Sequence, residues 1–203
     1  QALIQHFSPQ YFVGAGPATA RHRASLEGGI EGYLGRRTSK FRANLRRLRR
    51  RAEEQGVEVE YVSANRPGAQ EVDWLALYER MLTLELRSWK GEQESGIQDE
   101  HMKVFYRCMI PRLARKEMLR AIFLTRDGED IAFIFGAVHQ DLYRGLQVSF
   151  DDAHRSLSPG NLAQYFMIEW LCEQQVAWYD LGSELEYKSL WAEEMMSTTP
   201  LVI

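Results

Sequence analysis

The chain has 203 residues, of which 45% are hydrophobic and 26% are charged, and its 25 basic and 28 acidic side chains give a net charge of -3. This composition is typical of a soluble globular protein, and it excludes a disordered chain, a collagen-like repeat and a strongly basic nucleic-acid coat protein. The length favours one domain with a short extension, and the longest apolar run, Ile131 to Val138, is far shorter than a membrane span.

The N-terminal part of the chain has no clear helical or strand pattern. Residues 1–25 contain Gly14 and Gly16, which interrupt regular structure, and the chain starts without an initiator Met. We therefore expect 1–25 to be an N-terminal extension from a longer parent protein, and 26–203 to form the domain. A short helix is predicted over 26–34.

The next segment is strongly basic. Between Arg36 and Arg51 there are nine basic residues and no acid, and apolar residues recur at helical spacing. The pattern predicts an amphipathic helix that starts near Thr38 or Ser39 and ends at Gly56. Its apolar stripe consists of Phe41, Leu45, Leu48 and Ala52. The basic face either binds the phosphates of tRNA or another acidic partner, or is a scaffold surface that pairs with the acidic remainder of the chain.

The rest of the chain alternates between helical and strand patterns. Alternating residues at 57–61 predict a strand, and a turn follows at 65–68. Helices are predicted at 72–89, 99–116, 160–174 and 184–192, and strands at 119–126, 131–139, 142–150, 176–181 and 197–203. Because 131–139 is apolar on both faces, it should be a central strand that is covered on both sides. This order predicts a mixed α/β sheet with helices on both faces.

The segment 151–162 joins a predicted strand to a predicted helix and has the features of an anion site. Ser158 is a good N-cap and Pro159 a good first helical residue, while Gly160 leaves the helix start open. The groups expected to bind phosphate are the N–H groups of Gly160, Asn161 and Leu162 and the side chain of Arg155. An ordinary capped connection is the alternative interpretation.

Two charged residues stand among bulky apolar residues. Glu85 lies on or beside the apolar stripe of its predicted helix, where loss of hydration raises the pKa of a carboxyl toward the range useful for a general base. Lys188 lies between Tyr187 and Trp191, where an ammonium group could stabilise an oxyanion or a phosphate. The alternatives are a boundary glutamate paired with a nearby cation, and a lysine that extends to solvent.

No pattern in the sequence indicates a metal site or a covalent nucleophile. The five histidines have no ligand spacing, and no GxSxG, P-loop or dinucleotide fingerprint occurs, which weakens hydrolase, NTPase and Rossmann oxidoreductase interpretations. Cys108 and Cys172 are far apart and form no CxxC pair. They favour a reducing compartment, and so a cytoplasmic location, over a disulfide framework.

Four short segments, in order along the chain, together resemble a known family. They are Ser39-Lys40-Phe41-Arg42-Ala43-Asn44-Leu45-Arg46-Arg47, Leu84-Glu85 with Ser88-Trp89-Lys90-Gly91, Phe150-Asp151-Asp152 with Ser158-Pro159-Gly160, and Tyr187-Lys188 with Trp191. The series resembles the FemAB-like branch of the GNAT acyltransferase superfamily, which includes cellulose-biosynthesis-type acetyltransferase domains. The resemblance covers residues 26–195 and implies that 1–25 leads out of a missing first GNAT-like half.

The resemblance implies a GNAT-like fold with a mixed, mainly antiparallel sheet and helices on both faces. A donor would lie between two splayed parallel strands, 142–150 and 176–181, with its pyrophosphate on 155–162. The implied donor-binding residues are Val148, Ser149, Arg155, Ser156, Ser158, Gly160, Asn161 and Leu162, and the implied substrate-binding residues are Trp89, Lys90 and Tyr187.

The resemblance leaves the donor open. Arg155 and Gly160 fit the phosphate loop of the superfamily, whereas Ser158 and Pro159 replace its middle pattern. The donor is therefore expected to be acyl-CoA, such as acetyl-CoA, an acyl carrier protein, or an aminoacyl-tRNA as in the peptidoglycan-bridge members.

These features predict an N-acyltransferase that works by direct attack in a ternary complex and requires no metal. The amine of a small-molecule or peptide acceptor would attack a thioester carbonyl. Glu85, or Asp151 through a water, would accept the proton. Lys188 would stabilise the oxyanion together with a backbone N–H near Val148 or Ser149. The alternative is a non-catalytic or aminoacyl-tRNA-dependent module that binds tRNA or an acidic partner through the basic helix.

Overall fold

The computed structural model, which describes residues 14–64, 72–92, 96–183 and 186–202, contains both strands and helices. The strands are β1 (Gly14–Ala15), β2 (Thr19–Ser25), β3 (Glu58–Val62), β4 (Leu119–Arg126), β5 (Glu129–His139), β6 (Leu142–Phe150), β7 (Trp178–Ser183), β8 (Glu194–Thr198) and β9 (Leu201–Val202). The helices are α1 (Gly29–Gly35), α2 (Ser39–Glu54), α3 (Trp74–Glu85), α4 (Trp89–Glu92), α5 (Glu100–Arg115) and α6 (Pro159–Glu173). Short 3-10 turns cover Gly96–Gln98, Asp152–Leu157 and Glu186–Leu190.

Seven of the strands form one sheet in the order β3-β4-β5-β6-β7-β2-β8. Neighbouring strands are antiparallel, except that β6 and β7 are parallel. The two short strands β1 and β9 pair with each other in a separate ladder. The predicted mixed, mainly antiparallel sheet is therefore confirmed.

The sheet has a hydrophobic core on each face. Ile134 of β5 packs in the core that contains the buried faces of α2 and α6, whereas Phe133 and Phe135 pack in the core of α3 and α5. This alternation follows from the two-residue period of a strand. The prediction that 131–139 is a central strand covered on both sides is confirmed.

Helix α2 has the amphipathic structure that the periodicity predicts. The hydroxyl of Thr38 accepts a hydrogen bond from the N–H of Phe41 at 3.2 Å, and this caps the helix. Leu45, Leu48 and Ala52 are buried, so the apolar stripe faces the core. The basic residues therefore lie on the remaining faces of the helix.

The helix predicted at 72–89 is shorter than expected. It ends at Glu85, and the separate helix α4 begins at Trp89. Between them the hydroxyl and the N–H of Ser88 both donate to the Glu85 carbonyl, at 2.7 and 3.0 Å. A Cβ on Gly91 would lie 2.7 Å from that same carbonyl oxygen. The chain can turn back this closely because residue 91 is glycine.

Two C-terminal elements also differ from prediction. The helix expected at 184–192 is a 3-10 turn over Glu186–Leu190, and the strand expected at 197–203 is divided into β8 and β9. The turn predicted at 65–68 lies outside the described residues. No helix in the described ranges is both long enough and apolar enough to cross a membrane.

The segment assigned to an N-terminal extension contributes a strand to the sheet. Residues 19–25 form β2, which lies between β7 and β8. The sequence of this strand shows little apolar alternation because Arg21 and Arg23 carry ion pairs, to Asp180 and Glu194. The sheet therefore begins before residue 26, while the origin of this segment in a preceding GNAT-like half stays a prediction.

Candidate functional site

The sheet opens between β6 and β7. The two strands pair over three residue pairs, the last of which is Arg144 with Asp180. Beyond this pair β6 continues to Phe150 and β7 to Ser183 without further pairing between them. Side chains occupy some of the backbone groups along the opening, since the Val148 carbonyl accepts from Lys90 and the Gly182 N–H donates to Asp180.

A bulge in β6 lies at the opening. Phe135 pairs with Gln147 and Gly136 pairs with Gly145, so Leu146 is an extra residue with no partner in β5. A bulge of this kind increases the local twist of a strand and changes the direction of its side chains. A Cβ on Gly145 would lie only 3.1 Å from a tyrosine ring of β7, so the close approach there favours glycine.

A cavity of about 490 Å³ occupies the opening. Leu146, which packs against the core of α3 and α5, lines it together with Tyr179 and Leu181, which belong to the core of α6. The cavity therefore reaches both faces of the sheet. Its remaining lining residues are Trp89, Lys90, Ile134, Gly145, Gln147, Val148, Ser149, Phe150, Arg155, Ser158, Gly160, Asn161, Gln164, Tyr187, Lys188 and Trp191.

The start of α6 differs in detail from the predicted anion site. Ser158 has a left-handed φ of 52°, and its side chain makes no capping hydrogen bond. The N–H groups of Asn161 and Leu162 donate to the Ser158 carbonyl at 3.0 and 3.2 Å, so they do not point outward as predicted. The N–H of Gly160, at the second helical position, has no acceptor within the helix. One backbone donor of the predicted three is therefore left for a ligand.

Gly160 and Arg155 both line the cavity. A Cβ on Gly160 would lie 3.2 Å from the Phe150 ring, so a side chain at this position would crowd the wall of the cavity. The side chain of Arg155 is 68% exposed and pairs with Asp152 at 2.9 Å. Arg155 therefore places a cation at the rim, next to the start of α6.

Three predicted site residues lie elsewhere than expected. Asp151 caps a 3-10 turn by accepting from the Ala153 N–H, and its other oxygen pairs with Arg87 at 2.9 Å. The Ser156 carbonyl accepts a hydrogen bond from Arg51, and Leu162 is buried in the core. Asp151, Ser156 and Leu162 are therefore not among the described residues that line the cavity.

Two buried polar atoms of the cavity wall have no hydrogen-bond partner within the described residues. They are Oγ of Ser149 and Nε2 of Gln164, although Oε1 of Gln164 accepts from the Tyr179 hydroxyl at 3.1 Å. Leaving such atoms unpaired costs roughly 1–3 kcal/mol each. A polar ligand in the cavity would remove this cost.

Glu85 lies behind Lys90 and does not reach the cavity itself. Its side chain is completely buried, and Oε2 accepts a hydrogen bond from the Ile97 N–H at 2.9 Å. Lys90 Nζ lies 3.7 Å from Glu85 Oε1 and donates to the Val148 carbonyl at 2.7 Å and to Gln147 Oε1 at 3.2 Å. The two charged groups thus form a pair of which Lys90 is the member that lines the cavity.

Burial perturbs both members of this pair. It raises the pKa of Glu85, and the charge of Lys90 opposes that change only in part. Burial also lowers the pKa of Lys90, against the opposing charge of Glu85. Both shifts favour the uncharged forms, because removal from water destabilises a charge.

Lys188 lines the cavity on the side of β7, as do Tyr187 and Trp191. Its Nζ donates to the Ser183 carbonyl at 3.0 Å. Burial lowers the pKa of Lys188, and the nearby cations Arg21, Lys90 and Arg144 lower it further, while the charge of Asp180 opposes the shift. The structure therefore brings Lys90 and Lys188 to one cavity, as it does Trp89, Ser149 and Gly160.

Several polar residues at the site were not predicted from the sequence. They are Arg21, Tyr106, Arg144, Gln147, Gln164 and Asp180. Each lies in a strand or helix whose local pattern gives no functional signal. Their roles follow from contacts between distant parts of the chain.

The chain was compared with known proteins. The Acetyltransferase (GNAT) domain family matches residues 39–189, which is more than half of the chain. The chain belongs to this family. A comparison with curated protein sequences gave no significant match.

Solved structures share the GNAT fold at low sequence identity. FemX is 11% identical with a TM-score of 0.66, and the match covers 90% of this chain and 59% of FemX. L-PGS from Bacillus licheniformis is 14% identical with a TM-score of 0.53, covering 90% of this chain and 49% of that protein. The C-terminal domain of a putative lysylphosphatidylglycerol synthetase from Agrobacterium fabrum is 14% identical with a TM-score of 0.55, covering 94% and 55%.

The GNAT domain spans about half the length of these three structures. The predicted resemblance to the GNAT superfamily is confirmed, and the similarity to FemX and the synthetases is consistent with its FemAB-like branch. In the described part of the domain, no group of three or more His, Cys, Asp and Glu side chains is placed to hold a metal ion.

Proposed function

We propose that this GNAT domain is an N-acyltransferase that transfers an acyl group from acyl-CoA or an acyl carrier protein to the amine of a small-molecule or peptide acceptor. The observation that carries the proposal is the cavity between β6 and β7, which reaches both faces of the sheet. A donor entering from the α6 side and an acceptor entering from the α3 and α5 side would meet within it. Holding two reactants together in this way removes much of the entropic barrier to their reaction.

The α6 side of the cavity fits a donor with a phosphate and an amide-containing arm, such as acetyl-CoA. The free N–H of Gly160 and the side chain of Arg155 would bind the phosphate. Ser149 Oγ and Gln164 Nε2, which have no partner within the described residues, would donate to amide oxygens of the arm. When bound, the thioester supplies an activated acyl carbonyl.

The acceptor ammonium must lose a proton before its nitrogen can attack. We assign this role to the pair of Glu85 and Lys90, because burial lowers the pKa of Lys90 and so favours its neutral form, while Oε1 of Glu85 lies 3.7 Å from its Nζ. A neutral Lys90 can accept the proton at the cavity wall, and Glu85 then stabilises the resulting ammonium group. Glu85 therefore acts through Lys90.

The acceptor nitrogen then forms a bond to the acyl carbon, and the C–S bond breaks as the tetrahedral intermediate collapses. The surplus proton on nitrogen passes to the departing thiolate, which leaves as a thiol. Lys188 is placed to stabilise the oxyanion of the intermediate, because its hydrogen bond to the neutral Ser183 carbonyl does not neutralise its charge.

Calorimetry and turnover test this proposal. We expect acetyl-CoA or a longer acyl-CoA to bind, and Lys188→Ala to lower turnover by about 100-fold, as is typical when a group that stabilises an oxyanion is removed. The control is Lys116→Ala, which removes an exposed lysine after α5. If no thioester bound and Lys188→Ala kept full turnover, the proposal would be wrong.

Aminoacyl-tRNA is the alternative donor, and it would need the basic face of α2 to contact phosphates. Much of this face already has partners within the chain. Ion pairs engage Arg49 and Arg50 of α2, and backbone carbonyls accept from its Arg42 and Arg51. Ion pairs also engage Arg36 and Arg37, which precede the helix. These contacts support a scaffold role for α2, so we place the thioester donor first.

A further inference from the structure

A cluster of charged side chains lies next to the opening between β6 and β7. Asp180 of β7 accepts hydrogen bonds from Nε and Nη2 of Arg21 at 2.8 to 3.2 Å. It also accepts from Nη1 of Arg144 at 3.1 Å and from the Gly182 N–H at 2.9 Å. One carboxylate therefore balances two guanidinium groups, and the cluster keeps an excess positive charge.

The cluster lies on the face of the sheet that is covered by α3 and α5. Tyr143 and Tyr179 contact each other in the core of α6, with ring centroids 4.8 Å apart. The next residues along the two strands, Arg144 and Asp180, point to the opposite face, because side chains alternate along a strand. The excess charge is therefore on the proposed acceptor side and not on the side of the donor phosphate.

Lys188 adds a further positive charge to this cluster. The position that a Cβ on Gly182 would take lies 3.5 Å from Nζ of Lys188 and 3.8 Å from Nη2 of Arg21. The two cations are therefore close neighbours, and Lys188 also lines the cavity. Cations are stable at such density when an anion balances them.

Arg144 is the member of the cluster that a ligand can reach. Its side chain is 47% exposed, whereas the side chains of Arg21 and Asp180 are buried. A guanidinium group has five N–H donors in a planar fork that fits a carboxylate or a phosphate. Within the described structure, the contact of Arg144 with Asp180 is made through Nη1, which leaves Nε and Nη2 for a ligand.

From this arrangement we infer that the acceptor carries an oxyanion group, a carboxylate or a phosphate, near its amine, and that Arg144 binds this group beside the cavity, next to Gly145 of the cavity wall. The inference rests on the proposed acyl transfer, because that reaction makes this face the acceptor side. Arg21 and Asp180 position Arg144 and do not contact the acceptor. Lys188, which lines the cavity, keeps its proposed role at the thioester oxyanion.

Matched pairs of amines test this inference. Phosphoethanolamine differs from ethanolamine by a phosphate, and β-alanine differs from β-alaninamide by a carboxylate charge, while the amine is retained. With acetyl-CoA as the second substrate, we expect KM to be at least about tenfold lower for the anionic member of one pair, since hydrogen bonds between charged groups are strong. The pair that shows the difference identifies the oxyanion.

Variants of Arg144 show whether this residue causes the preference. Arg144→Gln should remove the difference in KM between the members of the pair, and Arg144→Lys should restore part of it. The control is Arg115→Gln, which removes the same charge from an exposed position at the end of α5 and should keep the preference. A preference that survives Arg144→Gln, or equal KM values in the wild type, would overturn the inference.

Calorimetry with the same amines separates this inference from the proposed function. If phosphoethanolamine or β-alanine binds to the wild type and not to Arg144→Gln, the anion site stands even where no acyl transfer occurs. If acetyl-CoA binds and neutral amines are acylated with no dependence on Arg144, the acyltransferase stands and the anion site does not. No anion-dependent binding in the wild type would contradict the inference without any measurement of turnover.

Discussion

Lys90 joins a fully buried carboxylate to the cavity in which the proposed reaction takes place. The turn that follows α4 packs directly against the Glu85 carboxylate, since a Cβ on Gly96 would lie 2.7 Å from Glu85 Oε1. The Ile97 N–H, from the same turn, donates to the other oxygen. The carboxylate is thus held in one position and can influence the acceptor through Lys90.

The first prediction concerns this pair. If neutral Lys90 accepts the proton, kcat/KM rises with pH as Lys90 loses its own proton, and burial brings this rise below the pH range of an ordinary lysine. The charge of Glu85 raises the pKa of Lys90, so Glu85→Gln should move the rise to still lower pH. The same change should lower kcat by about tenfold or more, because the ammonium group loses its counter-charge.

A variant in the same helix is the control for this measurement. Glu79→Gln makes the same chemical change at an exposed position of α3. We expect its pH profile and kcat to match the wild type. A Glu85→Gln profile that did not move would show that the pair is not the proton acceptor.

The second prediction concerns the donor side of the cavity. Gly160→Ala would place a methyl group 3.2 Å from the Phe150 ring and close to the free N–H at the start of α6. We expect KM for acetyl-CoA to rise by about tenfold, since one charge-assisted contact to phosphate would be weakened. Gly35→Ala is the control, because a Cβ at the end of α1 meets no atom within 4 Å. Equal KM values for the two variants would contradict the phosphate position.

At the scale of elements, α2 shows how a strongly basic segment can serve the fold. Arg49 pairs with Glu169 of α6 at 2.9 Å, and Arg51 donates to the Ser156 carbonyl just before that helix. Arg37 pairs with Glu193 near β8. The arginines of α2 therefore link it to the start of α6, and Arg37, which precedes α2, adds a link to the segment before β8.

The third prediction follows from these contacts. We expect tRNA to bind weakly, with a log–log slope of affinity against salt near zero, because most of the basic side chains of α2 have partners within the chain, namely Arg42, Arg47, Arg49, Arg50 and Arg51. Filter binding between about 50 and 200 mM salt measures this slope. The double variant Lys40→Gln with Arg46→Gln, at exposed positions of α2, should leave it unchanged. A steep slope that these changes reduce would favour the tRNA-dependent alternative.

At the scale of the whole molecule, β2 connects the start of the described chain to its last strands. It lies between β7 and β8, and its Arg21 pairs with Asp180 across 159 residues of sequence. The pair is buried on the proposed acceptor side of the sheet. The Arg21–Asp180 pair thus joins β2 to β7 at the point where β7 separates from β6.

The fourth prediction concerns the stability of this arrangement. Asp180→Asn would leave Arg21 buried without its counter-charge, so we expect the free energy of unfolding to fall by about 3–5 kcal/mol. Glu194→Gln is the control, since its pair with Arg23 is partly exposed and should be worth about 1 kcal/mol or less. Urea unfolding of both variants measures the difference. If Asp180→Asn lowered the free energy of unfolding by no more than the small loss expected for the control, the stabilising role of Asp180 would be wrong.

Regular structure with a clear local period was predictable from the sequence. The three- and four-residue spacing of the apolar stripe predicts α2, and the run at 131–139 that is apolar on both faces predicts a central strand. The family resemblance implied Lys90, Gly160 and Lys188, and all three line the cavity. Their catalytic and binding roles stay predictions.

Contacts between distant segments could not be read from local patterns. β2 was missed because Arg21 and Arg23 take positions where a strand usually shows apolar alternation, and their partners lie far away in sequence. The burial of Glu85 behind Lys90 depends on the break between α3 and α4.

The sequence by itself determined the elements with a clear local period, such as α2 and β5, because side-chain periodicity and caps act over a few residues. The tertiary structure decided where β6 and β7 separate and which charges meet there. Arg21, Arg144 and Asp180 come from three strands, and one carboxylate among two guanidinium groups arises only when those strands lie side by side. Electrostatic balance of this kind depends on distance in space, which local sequence does not encode.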